Sequence, residues 1–529
     1  MKKKYLLVLL LLTLFALWPF FKKGYFESHD GEWMVIRFSA FHQTLRSGQF
    51  PVRYIERLNN NYGYSVLNFL YPLPFYFSEI PKIIGFNFVD SVKVTFVLST
   101  LISVVAMYWA LSQYFTNIAS FTGSILYIYA PYRFVDLYVR GSIGENMAFA
   151  IVPLLLGSIF KISKNKQIYF PVLSLSVALL IIAHNVIAIL FIPFFIVLIL
   201  TLSKKNFFKS IIYIIIGILI SSFFWIPALY DLQFVRLSQI KISEAADQLI
   251  PLSKLIYSKW GFGPAPSQPD GFSAQIGLLS VVIFLTTLYL SFKSRQKNLF
   301  INILIAIFLL SIFLISPFSA YIWKNIPLID IIQFPWRILS LIVFIIAVFS
   351  AYLIDKIGKN FLWILITTTA ILSTFIYSKP DKFIQREEGF YTTNESSTTV
   401  KDEYLPLWVK ENPTSRTNEK TIVSDDSNII NKSIGTLMYS ITINNKQESL
   451  VQINTIYFPG FKARLDGKNV PIEYNNLNGV MQIKLPKGTH NVIINFGKTP
   501  VHLASEIISL LALTLAGVLF LYTWRKQKS

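Results

Sequence analysis

Cysteine is missing from all 529 residues of this chain. That absence excludes disulfides, thiolate nucleophiles and cysteine-ligated metals together. Charge is scarce too: 14% of residues are Asp, Glu, Lys or Arg, where a soluble domain carries about a quarter. Neither an internal repeat nor a low-complexity linker is present, which weighs against the repeat architecture common among transporters. What remains is apolar, with 53% hydrophobic and 16% aromatic residues and a mean hydropathy of +0.53. Such a chain belongs in a bilayer. The formal charge of +20 suggests nucleic acid at first sight, but Lys and Arg gather in short clusters between apolar runs. That pattern encodes membrane topology, so no nucleic-acid partner is expected.

Apolar runs fall at 5–21, 92–113, 117–135, 146–160, 168–183, 185–203, 208–229, 274–292, 298–316, 332–354, 361–378 and 502–524. They predict about twelve transmembrane helices. Lys2, Lys3 and Lys4 precede the first run, and no small-x-small cleavage site follows it, so an uncleaved first span is expected. With these lysines inside, the inner connections hold Lys161/Lys164/Lys166, Lys204/Lys205/Lys209, Lys293/Arg295/Lys297, Lys356/Lys359 and Arg525/Lys526/Lys528. Only the short link 112–116 lacks a cation, and the bias places both termini in the cytoplasm of a cytoplasmic (inner) membrane protein.

The outer connections differ. The first is a long loop, 22–91, in which Arg37 to Arg46 has helical apolar spacing and predicts an amphipathic helix on the interface. Pro72, Pro74 and Pro81 among aromatic residues predict a rigid return to the membrane. Residues 380–500 turn polar, then alternate as strands do at 439–443, 451–456 and 492–496, with Asp466-Gly467 as a hairpin turn. The expected architecture is an all-α polytopic membrane module over 1–379, a small extracytoplasmic β-sandwich over 380–500, and a last helix with a basic tail over 501–529.

Ionisable residues collect at the outer ends of the spans, where each is expensive and suggests function. His29, Asp30 and Glu32 follow the first span. Arg133, Asp136, Arg140 and Glu145 follow the third, His184-Asn185 joins the fifth and sixth, and Gln333, Trp336 and Arg337 open the tenth. Each has a bland reading. The arginines snorkel to head groups, the carboxylates pair with them, His184 is a packing histidine, and Trp336 belongs to an interfacial belt. Bland snorkelling predicts cations alone, whereas both signs accumulate here. A cavity with rim carboxylates and membrane-edge arginines suits sugar transfer from a lipid phosphate. Arg133, Arg140 and Arg337, with His184, hold the phosphate by charge-assisted hydrogen bonds. A carboxylate, Asp30 or Glu32, takes the acceptor proton. His29, Asp136, Glu145, Asn185, Gln333 and Trp336 support them. His29, Asp30, Glu32, His42 and His184 also offer nitrogen and oxygen ligands for a divalent metal ion, at no spacing that imposes one.

Several motifs carry a resemblance to known proteins. They are His29-Asp30, Gly63-Tyr64, Tyr71-Pro72-Leu73-Pro74, Tyr129-Ala130-Pro131-Tyr132-Arg133, Val139 to Glu145, and Ala183-His184-Asn185. Gly261-Phe262-Gly263, Phe334-Pro335-Trp336-Arg337 and Tyr457 to Phe461 complete the set. Together, over essentially the whole chain, they resemble bacterial membrane proteins labelled 6-pyruvoyl-tetrahydropterin synthase-related, although nothing in the chain suits a soluble pterin enzyme. That group in turn resembles GT-C type glycosyltransferases and YfhO-like membrane proteins. The resemblance implies a polyprenyl-phosphate sugar donor, a hexosyl or pentosyl transfer at the outer surface, and an envelope glycan, lipid or protein acceptor. It also implies an acidic motif in the first outer loop, matched by Asp30 and less closely by Glu32, since His-Asp-Gly-Glu is not D-x-D. The competing readings are a lipid or sugar transporter or flippase, and a non-catalytic envelope scaffold.

Overall fold

Apolar runs fold as helices, and each of the twelve carries one in the computed structural model. It describes residues 2–296, 298–326, 329–358, 361–417 and 419–528; Lys297 and Lys359 of the inner clusters lie outside the described residues. Five helices are long and apolar enough to cross a membrane: Phe88–Leu111, Ile143–Ser163, Asn185–Leu202, Pro335–Ile357 and Pro500–Lys526. Two bent pairs, Lys204–Ile220 with Ser222–Phe234 and Leu299–Ile315 with Pro317–Asn325, raise the number to seven. Twelve spans are therefore not shown. The runs at 117–135, 168–183, 274–292 and 361–378 hold only the shorter apolar helices Asn117–Ile128, Tyr169–Ala183, Leu278–Lys293 and Leu362–Tyr377. At 1.5 Å per residue a 12-residue helix such as Asn117–Ile128 covers about 18 Å of a hydrocarbon core about 30 Å thick.

Burial orders the bundle. Ile143–Ser163 and Pro335–Ile357 are 94% buried over their apolar windows and form its centre, whereas Pro500–Lys526 is 17% buried and lies at its edge. A helix apolar all round must be enclosed either by protein or by lipid, and these two extremes show both.

The helix expected within the first outer loop runs over Gly31–Arg46, but it does not lie on an interface. Met34 to Phe41 are buried without interruption, including Arg37 and Ser39. The cause is the later segment 383–398, which covers it. Ser39 Oγ donates to the Tyr391 carbonyl (2.6 Å) and Arg37 Nε to Thr398 Oγ1 (2.9 Å). Strand β1 (Tyr25–Phe26) pairs antiparallel with β2 (Phe383–Ile384), fixing the start of that cover.

The remaining strands begin at 421: β3 (Thr421–Val423), β4 (Ser427–Gly435), β5 (Met438–Asn445), β6 (Ser449–Ile456), β7 (Phe461–Leu465), β8 (Lys468–Val470), β9 (Val480–Leu485) and β10 (Gly488–Phe496). They form an antiparallel five-stranded sheet, β4-β5-β10-β7-β8, and a three-stranded sheet, β3-β6-β9. Alternate residues point inward: Tyr439, Ile441 and Ile443 of β5 share one core with Val451, Ile453, Met481 and Ile483 of the other sheet. Asp466 (φ 49°) and Gly467 (φ 82°) make the β7–β8 turn, with the positive φ pair that a two-residue hairpin requires. The sandwich is docked on the first loop. Buried Glu56 accepts from the Leu437 N–H (2.7 Å) and the Tyr439 hydroxyl (2.5 Å) and pairs with Lys420 (3.2 Å).

Candidate active site

The site begins where the third apolar run stops being a regular helix. Ala130 precedes a proline and is extended, which ends Asn117–Ile128. Pro131 then starts a turn of helix that widens into a π-helix over Val135–Arg140. Such insertions recur at functional positions because they swing consecutive side chains to one side. Gly141 closes it at φ 64°. A Cβ there would stand 2.5 Å from Ser28 Oγ and 3.1 Å from the Gly31 nitrogen, so only glycine lets the first loop approach. The contact is used: the His29 N–H donates to the Val139 carbonyl and the Asp30 N–H to the Arg140 carbonyl, both at 2.9 Å.

Arg140 is the hub. Its Nη1 donates to Asp136 Oδ1 (2.9 Å), to the Tyr132 hydroxyl (3.2 Å) and to Glu145 Oε2, and its guanidinium lies 4.4 Å from the Trp336 ring centroid. The Tyr132 hydroxyl donates to Glu145 Oε1 (2.7 Å). Asp136 Oδ2 is buried with no partner. Trp336 leans edge-on against Phe272 (5.2 Å), which meets the His29 ring (6.0 Å), and its Nε1 donates to Gln248 (3.3 Å). Arg337 Nη1 is held by the Ile332 carbonyl and Gln333 Oε1, both at 3.0 Å, while its Nε is buried without a partner. Gln333 adopts a left-handed φ of 62°, a strained conformation for a residue with a side chain.

On another side, Tyr71 stacks on His184 at 4.9 Å and lies against Gly144, where a Cβ would meet its ring at 2.2 Å. Tyr71 is 6% exposed. Burial pushes its hydroxyl up to about 12, with Asp30 adding to the shift and Arg37, Arg140 and Arg337 opposing it. The phenol thus keeps its proton at neutral pH and stays a donor.

The predicted residues divide. The structure gathers His29, Asp30, Asp136, Arg140, Glu145, His184, Gln333, Trp336 and Arg337. Asp30 precedes the helix Gly31–Arg46 without its side chain capping it, which leaves the carboxylate available. Glu32 is turned away: it pairs with Arg386 (2.8 Å) and accepts from the Tyr391 hydroxyl (3.1 Å) in the covering segment. Arg133 is fully buried inside the bundle, 4.0 Å from the Phe149 ring, with Ser103 Oγ at 3.3 Å. Asn185 is exposed and bonds its own chain at Val186 (3.0 Å). His29 Nε2 donates to the Phe262 carbonyl (2.9 Å), His42 pairs with Glu79 (2.9 Å), and His184 Nδ1 accepts from the Ile187 N–H (3.3 Å). Among the described residues no three His, Asp or Glu side chains converge as a metal site. Sequence reasoning does not single out Tyr71, Tyr132, Gln248 or Phe272. The first two lie in motifs with other prominent members, and the last two carry no local signal.

Comparison with known proteins adds little. No family model matches the chain, so membership of the groups it resembles is not shown. An uncharacterized protein of Lactococcus lactis subsp. cremoris is 24% identical over 246 residues, 44% of this chain and 40% of its own length. Among solved structures, the mycobacterial arabinofuranosyltransferase AftD overlaps 72% of this chain and 27% of its own, at 13% identity and a TM-score of 0.48. A mutant of the same enzyme overlaps equally in coverage and identity, with a TM-score of 0.45. The chain therefore spans about a quarter of that enzyme, and neither overlap establishes a common fold.

Proposed function

We propose that the chain is a membrane glycosyltransferase moving a sugar from a polyprenyl-phosphate-linked donor to an envelope acceptor at the outer face, with both termini cytoplasmic. The observation that carries this reading is that an uncapped carboxylate, Asp30, and a half-buried cation, Arg337, whose Nε is buried without a partner, both lie within electrostatic reach of Tyr71. Asp30 takes the proton of an acceptor hydroxyl, whose oxygen bonds to the anomeric carbon as the bond from that carbon to the phosphate oxygen breaks. Arg337 and the Tyr71 hydroxyl receive the departing lipid phosphate, lowering the barrier by stabilising the charge that develops there. Arg140 is already shared by Asp136 and Glu145, so its role is to hold the π-helix and Asp30 in place. No step uses a metal ion.

Asp30→Asn tests the reading. General-base loss lowers transfer by about 10²–10⁴-fold, with insertion and thermal unfolding unchanged, as measured with radiolabelled polyprenyl-phosphate sugars in nanodiscs. Full transfer by the variant removes Asp30 as the base.

A further inference from the structure

A patch outside this site has a different character. Leu229 is 61% exposed, Tyr230 47%, Leu407 37% and Leu477 57%, although each lies beside a well-packed part of the chain. Aromatic contacts join them into one surface: Tyr230 meets Phe234 at 5.9 Å, Phe234 meets Trp408 at 6.3 Å, and Trp408 meets Tyr474 at 5.2 Å. The backbone continues the link. The Leu407 N–H donates to the Phe234 carbonyl (2.9 Å), and the Lys410 N–H to the Leu477 carbonyl (2.9 Å).

Two observations bear on what covers it. The patch starts on the helix Ser222–Asp231, part of a bent apolar pair kinked by 66°, so it continues directly from an apolar segment of membrane-crossing composition. On its other side, the Gly497 N–H donates to the Gly460 carbonyl (2.8 Å), which sets the loop 457–460 beside the chain entering the candidate span Pro500–Lys526. The patch thus lies at the end of one apolar helix and beside the chain that enters another. Exposed leucines with Trp and Tyr, rimmed by exposed Lys410, have the composition of a membrane–water interface.

We infer that the β-sandwich stands on the bilayer through the Tyr230–Trp408–Leu477 surface, which inserts into the head-group region of the leaflet on its side. This rests on the chain crossing a membrane and not on the proposed transfer chemistry. The seating fixes the height of the sandwich over the membrane independently of its docking on the first loop.

The absence of cysteine makes the test clean, because a single introduced thiol is labelled uniquely. Spin labels at Leu407→Cys and Leu477→Cys are compared with Lys468→Cys, an exposed position that opens β8 just beyond the Asp466-Gly467 turn, at the end of β7 away from the loop 457–460. In nanodiscs of phosphatidylethanolamine and phosphatidylglycerol, labels at 407 and 477 collide several-fold more with oxygen relative to a water-soluble nickel chelate than the label at 468. Equal ratios at all three positions overturn the inference, including the case of a surface reserved for a water-soluble glycan. Hydroxyl-radical footprinting of the unsubstituted protein needs no label. Leu477 is protected in the same nanodiscs while Leu450, 41% exposed on the sandwich, is oxidised; equal oxidation again overturns the inference.

Discussion

Two buried carboxylate clusters invite comparison. Glu56, between the first loop and the β-sandwich, is fully occupied: one oxygen takes the Tyr439 hydroxyl and Lys420, the other the Leu437 N–H. The cluster around Arg140 is not. Asp136 Oδ2 and Arg337 Nε are buried without partners. Buried polar atoms are nearly always satisfied in folded proteins, and an unsatisfied one is destabilising unless something else supplies the bond. The first cluster is therefore a joint between parts of the chain. The second has the incompleteness of a site that receives a ligand.

Substitutions break or sharpen that contrast. Arg140→Met has the largest effect, since it leaves Asp136 and Glu145 buried without their counter-charge. A loss of about 3–5 kcal/mol is expected, seen as a lower unfolding midpoint together with lost transfer. Glu56→Ala orphans the Leu437 N–H and Tyr439 hydroxyl and destabilises by about 3 kcal/mol, speeding hydrogen exchange in β5 and β6. Its folded fraction keeps near-normal transfer, and a joint that proved catalytic would contradict the comparison. Gln333→Gly relieves a left-handed φ but removes one anchor of Arg337. Stability shifts by no more than about 1 kcal/mol, whereas transfer falls about tenfold, equivalent to about 1.4 kcal/mol. Glu32→Gln is the mildest: its partners belong to the covering segment, and transfer assays show at most a few-fold change, in contrast to Asp30→Asn.

These expectations depend on features of unequal legibility. Helices were readable from hydropathy at every run, and the Asp466-Gly467 turn from its residue types, because both are local signals. Span number was not. Pro131 cuts the third run short, and Pro317 and the 220–222 break bend two others, so apolar length overstates helix length. The helix Gly31–Arg46 was legible as a helix but not as a buried one, because its cover comes from residues 383–398, more than three hundred positions later. Arg140, Arg337 and Asp30 were legible as costly charges gathered at span ends. That Arg133 turns into the bundle and Glu32 toward Arg386 depends on tertiary packing, and no spacing rule announces it. Phe272 and Gln248 reach the site only through the long segment between the helices Ser222–Asp231 and Leu278–Lys293 that carries them.

The central claim is that Arg337 and the Tyr71 hydroxyl bind a lipid phosphate close to Asp30. A cryo-electron microscopy reconstruction of the protein in nanodiscs with decaprenyl phosphate tests it most directly. Phosphate density is expected within hydrogen-bond distance of the Arg337 guanidinium and the Tyr71 hydroxyl. Phosphate density bound elsewhere on the protein, with Arg337 paired to Asp136 or Asp30, would contradict it.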